Sequence, residues 1–137
     1  MSFEELYRKA KAAVNPRCLS ADAKAGSVGA AILAESGKIY TGVCIETACS
    51  MGFCAEHAAA AAMITAGENR VLKMTAVDAN GKILPPCGRC REFICQLHPD
   101  NFQTEVLVSK GEIVTLQSLL PYNWRTSTKE DKGDQQL

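Results

Sequence analysis

The sequence contains no long apolar run and no excess of charge of either sign. No stretch reaches the roughly 20 apolar residues that a membrane-spanning helix needs, and 15 Lys and Arg residues balance 15 Asp and Glu residues. Residues 1–17 carry charged side chains among their apolar positions, so they lack the uninterrupted apolar core of a signal peptide. No basic block is present to hold a polyanion such as DNA or RNA. We therefore expect a cytoplasmic protein that binds neither membranes nor nucleic acids.

The chain has the length and composition of one globular domain, and it contains no internal repeat. Apolar residues make up 47% of its 137 residues and charged residues 22%, which is ordinary usage and excludes wholesale disorder. From position 125 onward the residues are polar and mixed in charge. We therefore predict a single domain over residues 1–124 and a polar, flexible C-terminal tail over residues 125–137.

Hydrophobic periodicity and turn signals predict alternating helices and strands. Apolar residues at helical spacing and an alanine-rich run indicate helices, whereas short apolar or alternating runs between turn residues indicate strands. The predicted helices cover residues 3–14, 55–66 and 87–98, with a helical turn at 116–120, and the predicted strands cover residues 28–34, 39–45, 71–79, 104–109 and 112–115. Strands separated by helices favour one mixed sheet covered by helices, which is an α/β domain.

Seven cysteines are the unusual feature of the composition. A reducing compartment keeps them as thiols, and an odd number cannot all pair, so clustered cysteines point to a metal or to catalysis. Cys54, Cys87 and Cys90 each fall in the first turn of a predicted helix, where the helix dipole favours the thiolate that binds metal. The three-residue spacing of Cys87 and Cys90 places both sulfurs on one helical face. Two helix N-termini at the same sheet edge would bring the three sulfurs to one point.

Three cysteine ligands would suit a catalytic zinc site, because they leave a fourth position for water. Glu56 lies two residues after Cys54, and its carboxylate would reach that water without binding the metal. A carboxylate in this place can remove a proton from the water and deliver it to a substrate nitrogen. This is the machinery of hydrolytic deamination.

Other interpretations of the cysteines remain open from the residues alone. Cys87 and Cys90 have the spacing of a redox pair, although this leaves Cys54 and its neighbouring glutamate unexplained. A closed structural zinc site, in a domain that is not an enzyme, would need a fourth thiolate from Cys44, Cys49 or Cys95. Free cysteine is also often simply buried, and this is the interpretation that we favour for Cys18 and Cys95.

The paired motifs Cys54-Ala55-Glu56 and Pro86-Cys87-Gly88-x-Cys90-Arg91 resemble the zinc-dependent cytidine deaminase superfamily in its small three-cysteine form. The resemblance covers roughly residues 3–124, with softer matches at residues 27–31, 41–43 and 46. It implies Zn²⁺ as the cofactor, held by the three cysteines, with Glu56 as the catalytic proton shuttle. It also implies a three-layer α-β-α sandwich with a five-stranded mixed sheet, and the hydrolytic deamination of cytidine or deoxycytidine.

The resemblance also implies which residues bind the nucleoside substrate and how many copies of the chain assemble. It implies that Cys44, Glu46 and Ala55 contact the substrate, and that the protein is a homotetramer whose active sites borrow residues from neighbouring subunits. Tyr122 and Trp124 would suit a borrowed aromatic lid, with Trp124 as a further substrate-binding residue. Packing at the edge of the domain is the alternative for both aromatic residues.

The substrate end departs from the nucleoside pattern at three residues. Cys44 stands where family enzymes usually carry the Asn of Asn-x-Glu, Gly26 stands where they usually carry Phe, and His57 replaces the usual Arg. A thiol cannot replace the donors and acceptor of an amide, and an unpaired sugar hydroxyl would cost about 1–3 kcal/mol. We expect His57 to pack or cap on its helix. Cytidine or deoxycytidine is the expected substrate, and an analogue such as blasticidin S or another aminopyrimidine is the alternative.

Overall fold

A computed structural model describes residues 2–125 of the chain. Three α-helices and six strands form within these residues. The helices are α1 (Phe3–Ala13), α2 (Ala55–Thr65) and α3 (Gly88–Leu97), and short 3-10 helices cover Ala48–Ser50, Pro99–Gln103 and Gln117–Leu119. The strands are β1 (Arg17–Ser20), β2 (Ala23–Ala34), β3 (Ile39–Thr47), β4 (Val71–Asp78), β5 (Glu105–Ser109) and β6 (Glu112–Thr115).

The strands form one mixed sheet in which β2 is the longest strand. β3 pairs antiparallel with one edge of β2, whereas β1 and β4 pair antiparallel with successive parts of its other edge. β4 runs parallel to β5, and β6 pairs antiparallel with β5. α3 lies in the connection between β4 and β5, because two parallel neighbours need a crossover.

The sheet contains six strands rather than the five that the resemblance implies. The additional strand is β1, which pairs with the first residues of β2, on the same edge that β4 follows further along. Because β1 and β4 lie one after the other along the same side of β2, the sheet is only five strands wide. β1 escapes prediction because its four residues, Arg-Cys-Leu-Ser, are all exposed and show no alternation of apolar and polar side chains.

Helices cover both faces of the sheet, which confirms the three-layer α-β-α sandwich. On one face, Leu6 and Ala10 of α1 pack with Leu33 of β2 and Val77 of β4. Neighbouring residues of β2 point to the opposite face, as the strand period requires. There α2 and α3 cover a larger cluster that includes Ile32, Ala59, Met63, Met74, Ile94 and Val106.

The backbone of α2 lies unusually close to β3. A Cβ atom at Gly42 would lie only 2.4 Å from the backbone nitrogen of Ala59, so this strand position accepts no side chain while the helix stays in place. The alanine-rich sequence of α2 permits the same approach from the helix side. The contact fixes α2 against the sheet and, with it, the helix N-terminus that carries Cys54.

Within residues 2–125 no helix is both long enough and apolar enough to cross a bilayer. Of the predicted tail over residues 125–137, only Arg125 is among the described residues. The domain boundary at residue 124 therefore stays a prediction.

Candidate active site

Cys54, Cys87 and Cys90 come together at the end of the sheet where the carboxyl ends of β3 and β4 lie. β3 and β4 both run antiparallel to β2, so their carboxyl ends lie at the same edge, and the segments that follow them lead into α2 and α3. The three Sγ atoms lie within 4.8 Å of one another, with 3.3 Å between those of Cys54 and Cys87. Among residues 2–125 this is the single cluster of His, Cys, Asp or Glu side chains with metal-binding spacing.

The three sulfurs lie at helix N-termini, whose backbone N–H groups affect the pKa of the thiols. Cys54 and Cys87 are the N-cap residues of α2 and α3, and Cys90 lies in the first turn of α3. Burial alone would raise the pKa of Cys87, but the backbone N–H groups of Cys90 and Arg89, together with the neighbouring thiols, hold that pKa below its ordinary value. Cys87 is therefore the most easily ionised of the three.

The other two thiols hold their protons more tightly. Burial, reinforced by Cys87, raises the pKa of Cys54 to about 11. Burial also raises the pKa of Cys90, and the negative charges of Glu56 and of the other two sulfurs act in the same direction. Three like charges in so small a space repel one another. A bound divalent cation reverses this balance, because it stabilises the ionised sulfurs that coordinate it.

The donor set fits zinc with three protein ligands. Thiolate sulfur is a preferred zinc ligand, and a structural zinc site has four protein donors whereas a catalytic site has three. The residues proposed above as a fourth donor do not join the cluster. Cys95 is buried in the core, Cys49 is exposed on a 3-10 helix, and the Cys44 thiol lies beside Ser27. Within residues 2–125, the closed structural site thus has no fourth thiolate.

Glu56 lies in the first turn of α2 and is only 5% exposed. The thiol of Cys90 is 3.8 Å from its Oε2 atom. Burial raises the pKa of the Glu56 carboxyl, although a hydrogen bond from its own backbone N–H and the contact with Cys90 act in the opposite direction. A buried carboxyl with a raised pKa can both accept and return a proton near neutral pH.

A small cavity of about 170 Å³ opens beside the sulfurs and Glu56. Its lining includes Ala55 and Cys44, two of the predicted substrate-binding residues. Cys44 also lines an adjoining, more open cavity of about 480 Å³ together with Glu46, Ser27 and Phe53. Ala55, Cys44 and Glu46 therefore line two adjoining cavities, which share Cys44 and Cys54 and which together we call the groove, with Glu56 and the sulfurs at its smaller end.

A bulge in β2 shapes the open part of this groove. Ala25 pairs with Ile45 and Gly29 pairs with Val43, so three residues of β2, at positions 26–28, oppose Cys44 alone. The bulge brings the Ser27 hydroxyl to 3.2 Å from the Cys44 thiol. Bulges beside active sites commonly redirect a side chain in this way. No local sequence pattern indicates a role for Ser27, because this contact depends on the irregular strand register.

The same bulge explains why residue 26 is glycine. Gly26 has a φ angle of +88°, a region that L side chains rarely adopt, and an added Cβ atom would lie 1.9 Å from the carbonyl oxygen of Asn15. The two residues also bond through the backbone, with the Asn15 N–H donating to the Gly26 carbonyl at 2.9 Å. Residue 26 therefore cannot carry an aromatic side chain in this backbone, because Asn15 occupies the space that its Cβ atom would need.

His57 is a packed aromatic side chain. Its ring stacks on Phe93 with 4.4 Å between centroids and lies 5.0 Å from the ring of Phe53. Burial and the positive charge of Arg89 lower the pKa of His57 below its ordinary value, so the ring is neutral at neutral pH. It therefore brings no positive charge to the sulfurs.

Trp124 lies away from the groove of its own chain. Its ring is 55% exposed, and its Nε1–H donates to a carboxylate oxygen of Glu92 on α3 at 2.9 Å. Tyr122 is fully exposed. Neither residue lines the cavities beside Glu56. The structure thus places Trp124 apart from the other predicted site residues.

The fold and the site together define an α/β protein with a three-cysteine metal centre. Residues 2–106 match the family described as the cytidine and deoxycytidylate deaminase zinc-binding region. The chain belongs to this family.

Individual relatives agree with this assignment. The cytidine deaminase of Mycobacterium tuberculosis is 38% identical over 71 residues, which cover 51% of this chain and 53% of that enzyme, so the alignment spans about half of each. The blasticidin-S deaminase of Bacillus cereus is 30% identical over 106 residues, which cover 71% of this chain and 76% of that protein. The crystal structure of Mycobacterium leprae cytidine deaminase superposes with a TM-score of 0.74 at 30% identity, covering 88% of this chain and 98% of that one.

Proposed function

We propose that the protein is a zinc-dependent aminohydrolase that converts cytidine or deoxycytidine to uridine or deoxyuridine and releases ammonia. The observation that carries this proposal is the position of Glu56. Its buried carboxyl lies beside three converging cysteine sulfurs, at the end of a groove that Cys44, Glu46 and Ala55 line.

Cys54, Cys87 and Cys90 would hold the zinc ion. Bound zinc lowers the pKa of water and so supplies a nucleophile at neutral pH. The two helix N-termini support this role, because their backbone N–H groups favour ionised sulfur. The arrangement also keeps all three donors on rigid elements of the fold.

Glu56 carries the protons of the reaction. Its carboxylate accepts the proton that the attacking water loses, and the resulting carboxylic acid donates it to the ring nitrogen next to the amino-bearing carbon of cytosine. Glu56 then accepts the remaining proton of the attacking oxygen and donates it to the amino group, which leaves as ammonia while that oxygen becomes the carbonyl oxygen of uracil. The raised pKa of Glu56 suits both directions of transfer.

Ammonia release from a panel of substrates tests the proposal. Purified protein with one equivalent of zinc is given cytidine, deoxycytidine, cytosine and blasticidin S, and ammonia is followed with time. Rapid release from cytidine or deoxycytidine supports the proposal. Stoichiometric zinc without ammonia from any member of the panel contradicts it.

A second candidate is the deamination of a cytosine-nucleoside analogue such as blasticidin S. The Cys44–Ser27 pair offers a thiol and a hydroxyl where an amide would hold a sugar hydroxyl, and Gly26 offers no side chain at the position where family enzymes usually carry Phe. The similarity to the Bacillus cereus blasticidin-S deaminase points the same way. Ammonia from blasticidin S alone in the same panel would favour this candidate.

We also propose a cytoplasmic homotetramer in which Tyr122 and Trp124 of one copy cover the groove of a neighbour. Support comes from the exposure of both aromatic side chains and from the fact that neither lines the groove of its own chain. All seven cysteines are free thiols, which suits a reducing compartment. Sedimentation at several concentrations tests the assembly, and a monomer at all of them would contradict it.

A further inference from the structure

The carboxylate of Glu92 accepts hydrogen bonds from three side chains, two of which belong to the last residues that the structure describes. It lies on α3, two residues after Cys90. Trp124 donates its Nε1–H to Oε1 at 2.9 Å, Gln96 donates to Oε2 at 3.1 Å, and the guanidinium of Arg125 contacts both carboxylate oxygens. The Arg125 contact is also an ion pair between partly buried side chains.

Burial of the aromatic side chains does not hold this C-terminal segment in place. The Trp124 ring is about half exposed and the Tyr122 side chain is fully exposed. Tyr122 also has a φ angle of +52°, a conformation that costs free energy for a residue with a side chain. The polar contacts with Glu92 offset that cost.

Arg125 links the rings of Trp124 and Phe102 to the Glu92 carboxylate. Its guanidinium lies 4.7 Å from the centroid of the Trp124 ring and 5.6 Å from that of Phe102. A cation held over an aromatic face attracts it. Glu92 therefore fixes Trp124 twice, by the direct hydrogen bond and through Arg125.

We infer that Glu92 is a positioning residue, which holds Trp124 in the orientation needed to cover the substrate groove of a neighbouring copy. The inference rests on the proposed function and assembly, because they give Trp124 something to cover. Glu92 acts only through Trp124 and does not touch the substrate, so its loss raises KM and leaves the reacting groups unchanged.

The experiment uses Trp124 as its own reporter, since it is the only tryptophan in the chain. Glu92→Ala and the nearly isosteric Glu92→Gln are compared with Glu112→Gln, which changes a carboxylate on β6 away from the segment. We expect Glu92→Ala to increase acrylamide quenching of the tryptophan and to raise KM about three- to tenfold, the range for one partly exposed charged contact. Zinc content and kcat stay at the wild-type level, and Glu112→Gln changes neither readout.

Two results would overturn the inference. Increased quenching with an unchanged KM would make Glu92 a purely structural anchor, and a raised KM with unchanged quenching would separate Glu92 from Trp124. Failure of the proposed function is distinct from both, because wild-type protein would then release no ammonia from any member of the panel.

Mixed assemblies test whether Trp124 acts on a neighbour. Glu92→Ala chains keep an intact proton shuttle, whereas Glu56→Gln chains keep an intact anchor. Co-expression of the two should lower the KM of the active sites toward the wild-type value, because the Glu56→Gln chains supply correctly held tryptophans. A KM that stays at the level of Glu92→Ala alone would contradict action between copies.

Discussion

The metal end and the substrate end of the groove are built in different ways. Cys54, Cys87, Cys90 and Glu56 all lie at the N-termini of two packed helices, and Cys90 and Glu56 are buried. The substrate end instead lies on a bulged edge of β2 and β3, where the groove is open. On the proposed function, the reaction chemistry would depend on helix ends, whereas substrate choice would depend on an irregular strand that a few substitutions could reshape.

The largest expected effect is at the metal end. Cys87→Ala removes one of three sulfurs, so we expect the protein to lose bound zinc and all measurable activity. Cys18→Ala, which changes an exposed cysteine on β1, is the control and should keep one equivalent of zinc. Atomic absorption on the purified variants measures this, and full zinc in Cys87→Ala would point to another ligand set.

At the substrate end, the bulge should tolerate no side chain at residue 26. Gly26→Ala combines a positive φ angle with a Cβ atom 1.9 Å from the Asn15 carbonyl oxygen, and we expect it to lower the free energy of unfolding by about 2–4 kcal/mol. Gly37→Ala is the matched control, because Gly37 has a similar φ of +91° but open space around it. Its cost should be about 1 kcal/mol. Equal losses in urea denaturation would show that the Asn15 contact is unimportant.

A smaller effect is expected from a substitution that strengthens sugar binding at the substrate end and leaves the metal end unchanged. Cys44→Asn places an amide beside Ser27 and restores the donors and acceptor that a sugar hydroxyl needs. We expect KM for cytidine to fall about tenfold, while KM for cytosine, which has no sugar, stays the same. A parallel change for both substrates would mean that the sugar does not lie against Cys44.

The smallest predicted signal concerns the protons of the sulfur cluster. At pH 8 the metal-free protein keeps protons on Cys54, whose pKa is about 11, and on Cys90, whose pKa is also raised. Zinc binds the ionised sulfurs, so its uptake should release at least about two protons per ion, and its affinity should rise with pH. A pH indicator in weakly buffered solution measures the release. Zinc uptake without proton release would contradict this account of the cluster.

The sequence predicts the residues of the metal end better than the contacts of the substrate end. The metal end depends on short spacings and on helix start signals, so the three cysteines and Glu56 could be singled out together. The contacts of Ser27 with Cys44, of Gly26 with Asn15 and of Glu92 with Trp124 join residues on different elements. Strand register and loop paths decide these contacts, and no local pattern reports them. The sequence does not predict β1 for a similar reason, since only its pairing with β2 identifies it as a strand.

The most direct test of the central claim is the turnover of Glu56→Gln measured together with its zinc content. The substitution keeps the size of the side chain but removes its ability to carry a proton. The account predicts a folded protein with one equivalent of zinc and a turnover at least about 10³-fold below that of the wild type. Turnover near the wild-type rate in the zinc-loaded variant would contradict the account and remove Glu56 from the reaction.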